Sequence, residues 1–390
     1  MEPTLTVNTE ALDQRPIAFP TAPATTVATS IYDAPGSATY LSEVMGVGDY
    51  RKVGLVADTG TGRVWRLAAD EGTYLKGTNQ APAPLMHWGA GLHADVIARL
   101  MRLAEREQVK IHDLQVETQQ GFGSKGSFAR GEAVGLVFDL DWQFFAETDA
   151  SDTKVAGLVQ AAIQQSPAVA ALTRAVSSEF GLETNARPTP LKNMRSVGEA
   201  TRFLDPFRRY AGAPEPTDEI VAATILLSQP GAHFGLVLSD DHSGAAHRWH
   251  VDVRGGIDPE TGLISSNVGF PEGTNDRWCL LSDPNNVEAP SPLAYFSMGT
   301  AFCYHTQLCR YVKVRRLPVA NPRLAQISQF DVNASDAAVT ATVSPLQTKV
   351  FINGQCDEGD TSSLVQVAAN TCYAHCAFES EVTMRYALKS

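Results

Sequence analysis

Residues 291–312, SPLAYFSMGTAFCYHTQLCRYV, decide how this chain is read. The stretch is long and mostly apolar, with Pro292 in its first turn and Cys303 at its middle. Proline is tolerated at a helix start, where its missing N–H has no intrahelical partner to lose. Leu293, Phe296, Thr300, Cys303 and Gln307 recur at the 3.6-residue period, which predicts a buried helix. A thiol halfway along such a helix ordinarily packs as a small hydrophobe. A related stretch without the cysteine, earlier in the chain, sets this one apart.

Pro84-Leu85 followed by Trp88 and Gly91 matches Pro292-Leu293 followed by Phe296 and Gly299; 292 less 84 gives an offset of 208. Leu158-Val159-Gln160 recurs as Leu364-Val365-Gln366, and 364 less 158 gives 206. Two separated matches at nearly one offset, between segments of the same expected type, argue for an internal duplication. Each copy would be strands, a long helix, strands and a broken helix. That mixed order predicts an α+β fold, with antiparallel sheets packed around long central helices.

The chain of 390 residues is long enough for two ordinary domains and a sizeable core. Hydrophobic residues at 44% and charged residues at 19% fall in the globular range. The net charge of −12, without a basic cluster, argues against nucleic acid as a partner. The opening MEPTLTVNTEALDQRP lacks the basic and apolar regions of a secretory signal. Apolar runs such as residues 220–227 are too short to span a bilayer. A cytoplasmic protein with no membrane partner is expected.

In order, residues 1–30 read as an arm, 31–183 as the first half, 184–213 as a polar linker with Pro188, Pro190 and Pro206, and 214–390 as the second half. The first half begins with short strands over 39–67, turning at Asp58-Thr-Gly-Thr-Gly. A helix over 84–107 follows, then strands over 110–119 and 131–145, then a helix over 152–176 broken at Pro167. The second half reads as strands over 220–239 and 247–254, a long insertion to 289 able to cap a site, and a helix over 292–315. Strands over 324–332, 338–343 and 348–352, a helix over 360–378 and a last strand over 380–389 complete it. Gly121-Phe-Gly123-Ser-Lys-Gly126 fits GxGxxG, but no helix follows, so it is read as a hairpin turn and not a nucleotide site.

All six cysteines, Cys279, Cys303, Cys309, Cys356, Cys372 and Cys376, lie in the last third. In a reducing compartment such a cluster reads as redox, catalytic or metal-binding, against the plain alternative of buried inert thiols. The two offsets place Asp95 opposite Cys303 and Ser166 opposite Cys372. A buried Asp95 is costly unless paired. Either its helix is more exposed than its twin, or a basic group reaches it from the other half.

Ser291-Pro292-Leu293, Cys303, Tyr311 and the basic Lys313-Val-Arg315-Arg316, followed by Cys372-Tyr-Ala-His375, resemble the OsmC/Ohr family of thiol-dependent hydroperoxide reductases. Ala83-Pro84-Leu85 and Gln165-Ser166-Pro167 resemble the same pattern without its cysteines. The resemblance covers most of the chain as two tandem OsmC-like halves. It implies that the family's intertwined dimer is made internally, as a pseudo-dimer, with one site kept. It implies Cys303 as the peroxidatic and Cys372 as the resolving residue. A cation from an early strand would favour the thiolate; Arg248 is preferred over Arg254, Arg63 and Arg66. Two features depart from the pattern: no glutamate stands about ten residues before Cys303, and Cys372 is followed by Tyr373 instead of proline.

The resemblance therefore implies reduction of organic hydroperoxides, with a small-molecule substrate and a thiol reductant as partners and assembly into a homo-oligomer left open. The alternatives are a hydrolase or lyase with Cys303 as nucleophile and a nearby histidine as base, and a ligand-binding protein without turnover. His305 and Cys309 share a helix face, as do Cys372, His375 and Cys376 in a helical turn, and both pairs suit a soft metal. No CxxC spacing supports that, so no metal and no cofactor is assigned. His242, His247 and His250 form a histidine-rich stretch in which Trp249 and Arg248 face opposite ways along a strand.

Overall fold

The computed structural model describes residues 16–21, 37–198, 203–210, 225–228, 247–271, 277–334 and 339–389. Most of the 1–30 arm and the turn carrying His242 lie outside them. The first elements are β1 Ala18–Thr21, β2 Ser37–Gly46, β3 Lys52–Asp58, β4 Val64–Ala69, α1 Pro84–Arg106, β5 Ile111–Lys125 and β6 Val134–Thr148. Then come α2 Asp152–Gln165, α3 Pro167–Thr173, β7 Ser178–Thr184, β8 Arg187–Pro188 and α4 Pro206–Tyr210. The remainder comprises β9 Ile225–Ser228, β10 His247–Ile257, β11 Ile264–Gly269, β12 Arg277–Ser282 and α5 Pro292–Arg315. Last come β13 Val319–Ala334, β14 Val339–Val343, β15 Leu346–Gly354, α6 Glu358–Thr371, α7 Tyr373–Glu379 and β16 Met384–Lys389.

The two long helices begin alike. Ala83 and Ser291 hold extended backbone before Pro84 and Pro292, and the Ser291 Oγ accepts from the Ala294 N–H at 3.3 Å. Every residue of α5 from Pro292 to Leu308 is buried, as expected of a core helix without a polar face. The helices cross on two glycines. A Cβ on Gly91 would stand 2.4 Å from the Phe296 nitrogen, and one on Gly299 would stand 2.3 Å from the Trp88 nitrogen. Neither backbone atom can yield without parting the helices.

The strands form two mixed sheets, and the chain is an α+β protein, as its element order predicts. One sheet runs β1-β4-β3-β2-β13-β15-β7-β8, with β14 paired to β13; the other runs β16-β6-β5-β10-β11-β12-β9. Exchanging β2, β3 and β4 for β10, β11 and β12, β5 and β6 for β13 and β15, and β7 for β16 converts one central order into the other. Each sheet thus draws strands from both sides of the 184–213 stretch. α1 packs on β10 and β11, and α5 on β13, β2 and β3, so the helices lie between the sheets. The sheets are not antiparallel throughout: β15 pairs with β7 and β6 with β16 in parallel. Both β7 and β16 follow helices, which frees them from hairpin geometry.

Other details differ from the sequence reading. The expected insertion before Pro292 contains β11 and β12, which extend the sheet. Ile264, Ser266 and Val268 face inward there, and the polar Ser266 at an inward position hides the alternation. Gly121 and Gly123 belong to β5, opposite His250 and Arg248, and the turn comes only after Lys125. Within the polar 184–213 stretch, Phe203 and Tyr210 are buried, and Asp205 holds Arg323 through two bonds of 2.7 and 2.8 Å. Among the described residues no single helix is long and apolar enough to cross a membrane; α2 and α3 reach that length and composition only together, across a 71° bend.

Candidate thiol site

Cys372 stands where two helices meet. The Asp357 carboxylate starts α6 by accepting from the Asp360 N–H at 2.7 Å, and Leu364, Val365 and Ala368 fix the helix against the core. The chain then turns at Cys372, at φ −75° and ψ 108°, before α7. This places the Cys372 thiol beside the Cys303 thiol of α5. Both are free and buried, Cys303 at 3% exposure and Cys372 at 0%. Burial pushes Cys372 well above the ordinary thiol range, and the Cys303 sulfur adds to the shift. His375 Nδ1 lies 3.2 Å from the Cys372 sulfur, and its ring stacks on Phe180. Burial holds His375 near a pKa of about 3, so its imidazole is neutral. Among the described residues no histidine hydrogen-bonds to Cys303, the arrangement a cysteine hydrolase needs.

Cys303 opens onto a cavity of about 450 Å³. Cys303, Thr306, Gln307 and Arg310, spaced at i, i+3, i+4 and i+7, form one side of it. Aromatic rings form another. Trp249 stands 5.4 Å from Phe270 and 5.1 Å from Tyr373, both edge-on, and Phe270 meets Tyr74 at 5.6 Å. Leu75, Pro84 and Leu85 complete the apolar lining.

A buried polar chain runs along the cavity's edge. Lys52 Nζ donates to Thr306 Oγ1 at 2.8 Å, Thr306 Oγ1 donates to Glu71 Oε1 at 2.6 Å, and Tyr74 donates to Glu71 Oε2 at 2.5 Å. Lys52 Nζ is also 3.8 Å from Glu71. Asp70 fixes this loop by accepting from Thr78 Oγ1 at 2.6 Å and from the Gln80 N–H at 3.2 Å. Glu71, more than two hundred residues before Cys303, thus brings a carboxylate to the cavity.

The arginines singled out by sequence lie elsewhere. Trp249 lines the cavity, so the neighbouring Arg248 projects from the opposite face of β10, its guanidinium carbon 5.3 Å above the Phe138 ring. Arg254 faces Glu117 at 3.5 Å, Arg63 donates to the Val287 carbonyl at 2.8 Å, and Arg66 packs on Phe19. The arginine at the cavity is Arg310. It continues the stripe already visible in sequence from Leu293 to Gln307, whereas nothing near Lys52 or Glu71 in sequence announces them.

At the counterpart positions, Ser166 Oγ donates to Asp95 Oδ2 at 2.6 Å, and the Ala168 N–H donates to the same oxygen at 3.2 Å. Asp95 is buried, and its basic partner comes from its own helix: Arg99 lies 3.6 Å away, one turn on. His305 does meet Cys309, at 3.7 Å, and faces β13 by bonding the Pro322 carbonyl at 2.7 Å. Among the described residues no three His, Cys, Asp or Glu side chains are grouped to hold a metal ion.

No family model and no curated protein matches the chain. Among solved structures it is similar to an OsmC-like hydroperoxide resistance protein from Jannaschia sp. CCS1. That similarity has 18% sequence identity, covers 35% of this chain and 89% of the other, and has a TM-score of 0.25.

Proposed function

We propose that this chain reduces organic hydroperoxides through a thiol pair, with Cys303 peroxidatic and Cys372 resolving. One observation carries the reading: two buried free thiols are neighbours, and of the two only Cys303 lines the cavity. The Cys303 thiolate attacks the terminal oxygen of R–O–O–H, the O–O bond breaks, and R–O⁻ leaves to be protonated to the alcohol. Cys303 is then a sulfenic acid. Cys372 attacks its sulfur, the S–OH bond breaks, water leaves with the Cys372 proton, and a disulfide forms. Two thiols of an external reductant restore the pair and become a disulfide themselves. The high pKa of Cys372 keeps it a thiol until the sulfenic acid forms beside it.

Cationic charge favours the attacking thiolate. Lys52 lies one hydrogen bond from Thr306, a helical turn beyond Cys303, and fits that task better than Arg248 on the far face of β10. Glu71 then stands where a hydroperoxide reductase needs a carboxylate. The exchange of strands between the sheets and the reciprocal Gly91 and Gly299 contacts support two tandem copies forming an internal pseudo-dimer. Six free cysteines suit a cytoplasmic location.

The test is turnover of cumene hydroperoxide with dithiothreitol as reductant. Wild-type protein should turn over and Cys303→Ser should not, while Cys372→Ser, treated with one equivalent of peroxide in the absence of dithiothreitol, should stop at a Cys303 sulfenic acid where wild type forms a disulfide. Equal activity in all three would overturn the reading.

A further inference from the structure

A chain of hydrogen bonds with one direction ends at the Cys372 thiol. It starts at a backbone carbonyl, a group that only accepts: Gln326 Nε2 donates to the Ser297 oxygen at 3.5 Å. Gln326 Oε1 is thereby turned to Thr348, whose hydroxyl donates to it at 3.3 Å. With its one proton used, the Thr348 oxygen accepts from His375 Nε2–H, 3.5 Å away. A neutral imidazole carries a single N–H, so Nδ1 presents a lone pair. Nδ1 lies 3.2 Å from the Cys372 sulfur, and the thiol donates to it. The ring is 1% exposed and held between Phe180, stacked at 5.6 Å, and Tyr304, at 4.7 Å. The titratable groups against it are Cys372 and Tyr304, and the Tyr304 hydroxyl is engaged elsewhere, donating to the Val365 carbonyl at 3.0 Å. β7 and β15 present Phe180 and Thr348.

We propose that His375 is the general base of the resolving step. This rests on the proposed thiol chemistry for what Cys372 attacks, the Cys303 sulfenic acid. As the Cys372 sulfur attacks, the S–S bond forms and the S–OH bond breaks. The Cys372 proton crosses to Nδ1, hydroxide leaves, and the proton follows it to give water and a neutral imidazole. Cys372 is a thiol at rest, so without a base its attack waits on a small thiolate fraction. Burial leaves His375 unprotonated at neutral pH, the form a base requires. The histidine serves Cys372 and not Cys303, so it acts in the second half-reaction only.

The test on the full chain is a single turnover with one equivalent of cumene hydroperoxide and no dithiothreitol. Alcohol release times the first step, and trapping of free thiols followed by mass spectrometry times the disulfide. In His375→Asn the amide oxygen keeps an acceptor near the thiol but takes no proton. Alcohol should appear at the wild-type rate, while the disulfide should form about a hundredfold more slowly and the sulfenic acid accumulate. Disulfide formation should be flat over roughly pH 6–8 in wild type and rise about tenfold per pH unit in the variant, following the thiolate. Disulfide formation at the wild-type rate and pH profile would overturn the proposal. An equal loss in both steps, in a variant that melts like wild type, would overturn it too and make His375 a packing residue. Nitrogen-15 NMR of wild type decides the tautomer without any variant: Nε2 should carry the proton, and a proton on Nδ1 would overturn the proposal. If wild type releases no alcohol, the peroxidase reading falls, and the base is read with methyl methanethiosulfonate. That reagent puts a methylthio group on the Cys303 sulfur, which Cys372 attacks, releasing methanethiol. His375→Asn should slow that release by a similar factor, and equal rates would overturn the proposal.

Discussion

Two pairs of side chains invite comparison, Asp95 with Ser166 and Cys303 with Cys372. Both lie between a central helix and the break of a helix pair. Ser166 and Cys372 have nearly the same backbone, φ −77° and ψ 115° against φ −75° and ψ 108°. The chemistry of the pairs is opposite. Asp95 has a hydroxyl, a backbone N–H and Arg99 as partners, so its carboxylate is satisfied where it lies. Ser166 also caps α3 by accepting from the Val169 N–H at 3.1 Å. Cys372 makes no side-chain cap for α7, and its thiol turns to Cys303 and His375. One backbone conformation thus holds a closed polar joint at Ser166 and a pair of neighbouring free thiols at Cys372. The difference is two side chains and a cavity.

That contrast can be broken at several points. The largest effect is expected from Cys303→Ser, which should lower peroxide turnover on the order of 1,000-fold or more, measured as alcohol formed per chain. Asp95→Asn should leave turnover within about twofold if the first pair is purely structural; a comparable collapse would show a second active centre. Gly91→Ala and Gly299→Ala should each destabilise by roughly 3 kcal/mol or more in denaturant melts, because the added methyl meets backbone. Similar losses at both would bear out the two-fold relation of the helices, and a loss at only one would deny it. Asp95→Ala should cost about 2–3 kcal/mol, since the Ser166 hydroxyl and Ala168 N–H are left buried without their acceptor.

The effect smallest at neutral pH is a pH dependence. Val169 stands where the other half has His375, by the 206-residue offset. Burial lowers His375 to about 3 and His93 to about 4. The unfolded chain binds those protons at about pH 6.5 and the folded chain does not, so stability is complete above 6.5 and is lost as pH falls toward 3–4. Each such histidine contributes up to about 1.4 kcal/mol per pH unit in that window. His375→Phe should flatten the acid side of a stability-against-pH curve, and an unchanged slope would place the protons elsewhere.

The central helices were legible because proline starts, glycine crossings and apolar period all depend on local sequence. The Asp95–Cys303 comparison was legible for the same reason. Lys52 and Glu71 were not, since their place at the cavity depends on β3 and the 70–80 loop meeting α5 across more than two hundred residues. Arg310 was within reach: extending the stripe from Cys303 by seven residues finds it. β11 was hidden by its serines, whose inward Ser266 is satisfied by His93 at 2.9 Å, a bond no pattern of hydrophobicity reports. The partner of Asp95 was one turn away on its own helix, where i, i+4 pairing places it.

The most direct test is non-reducing peptide mass spectrometry after one equivalent of a small alkyl hydroperoxide. The account predicts a single Cys303–Cys372 disulfide, with one water and one alcohol released per chain and Asp95 and Ser166 unchanged. Oxidation that stops at a Cys303 sulfinic acid, or a disulfide that leaves out either residue, would contradict it.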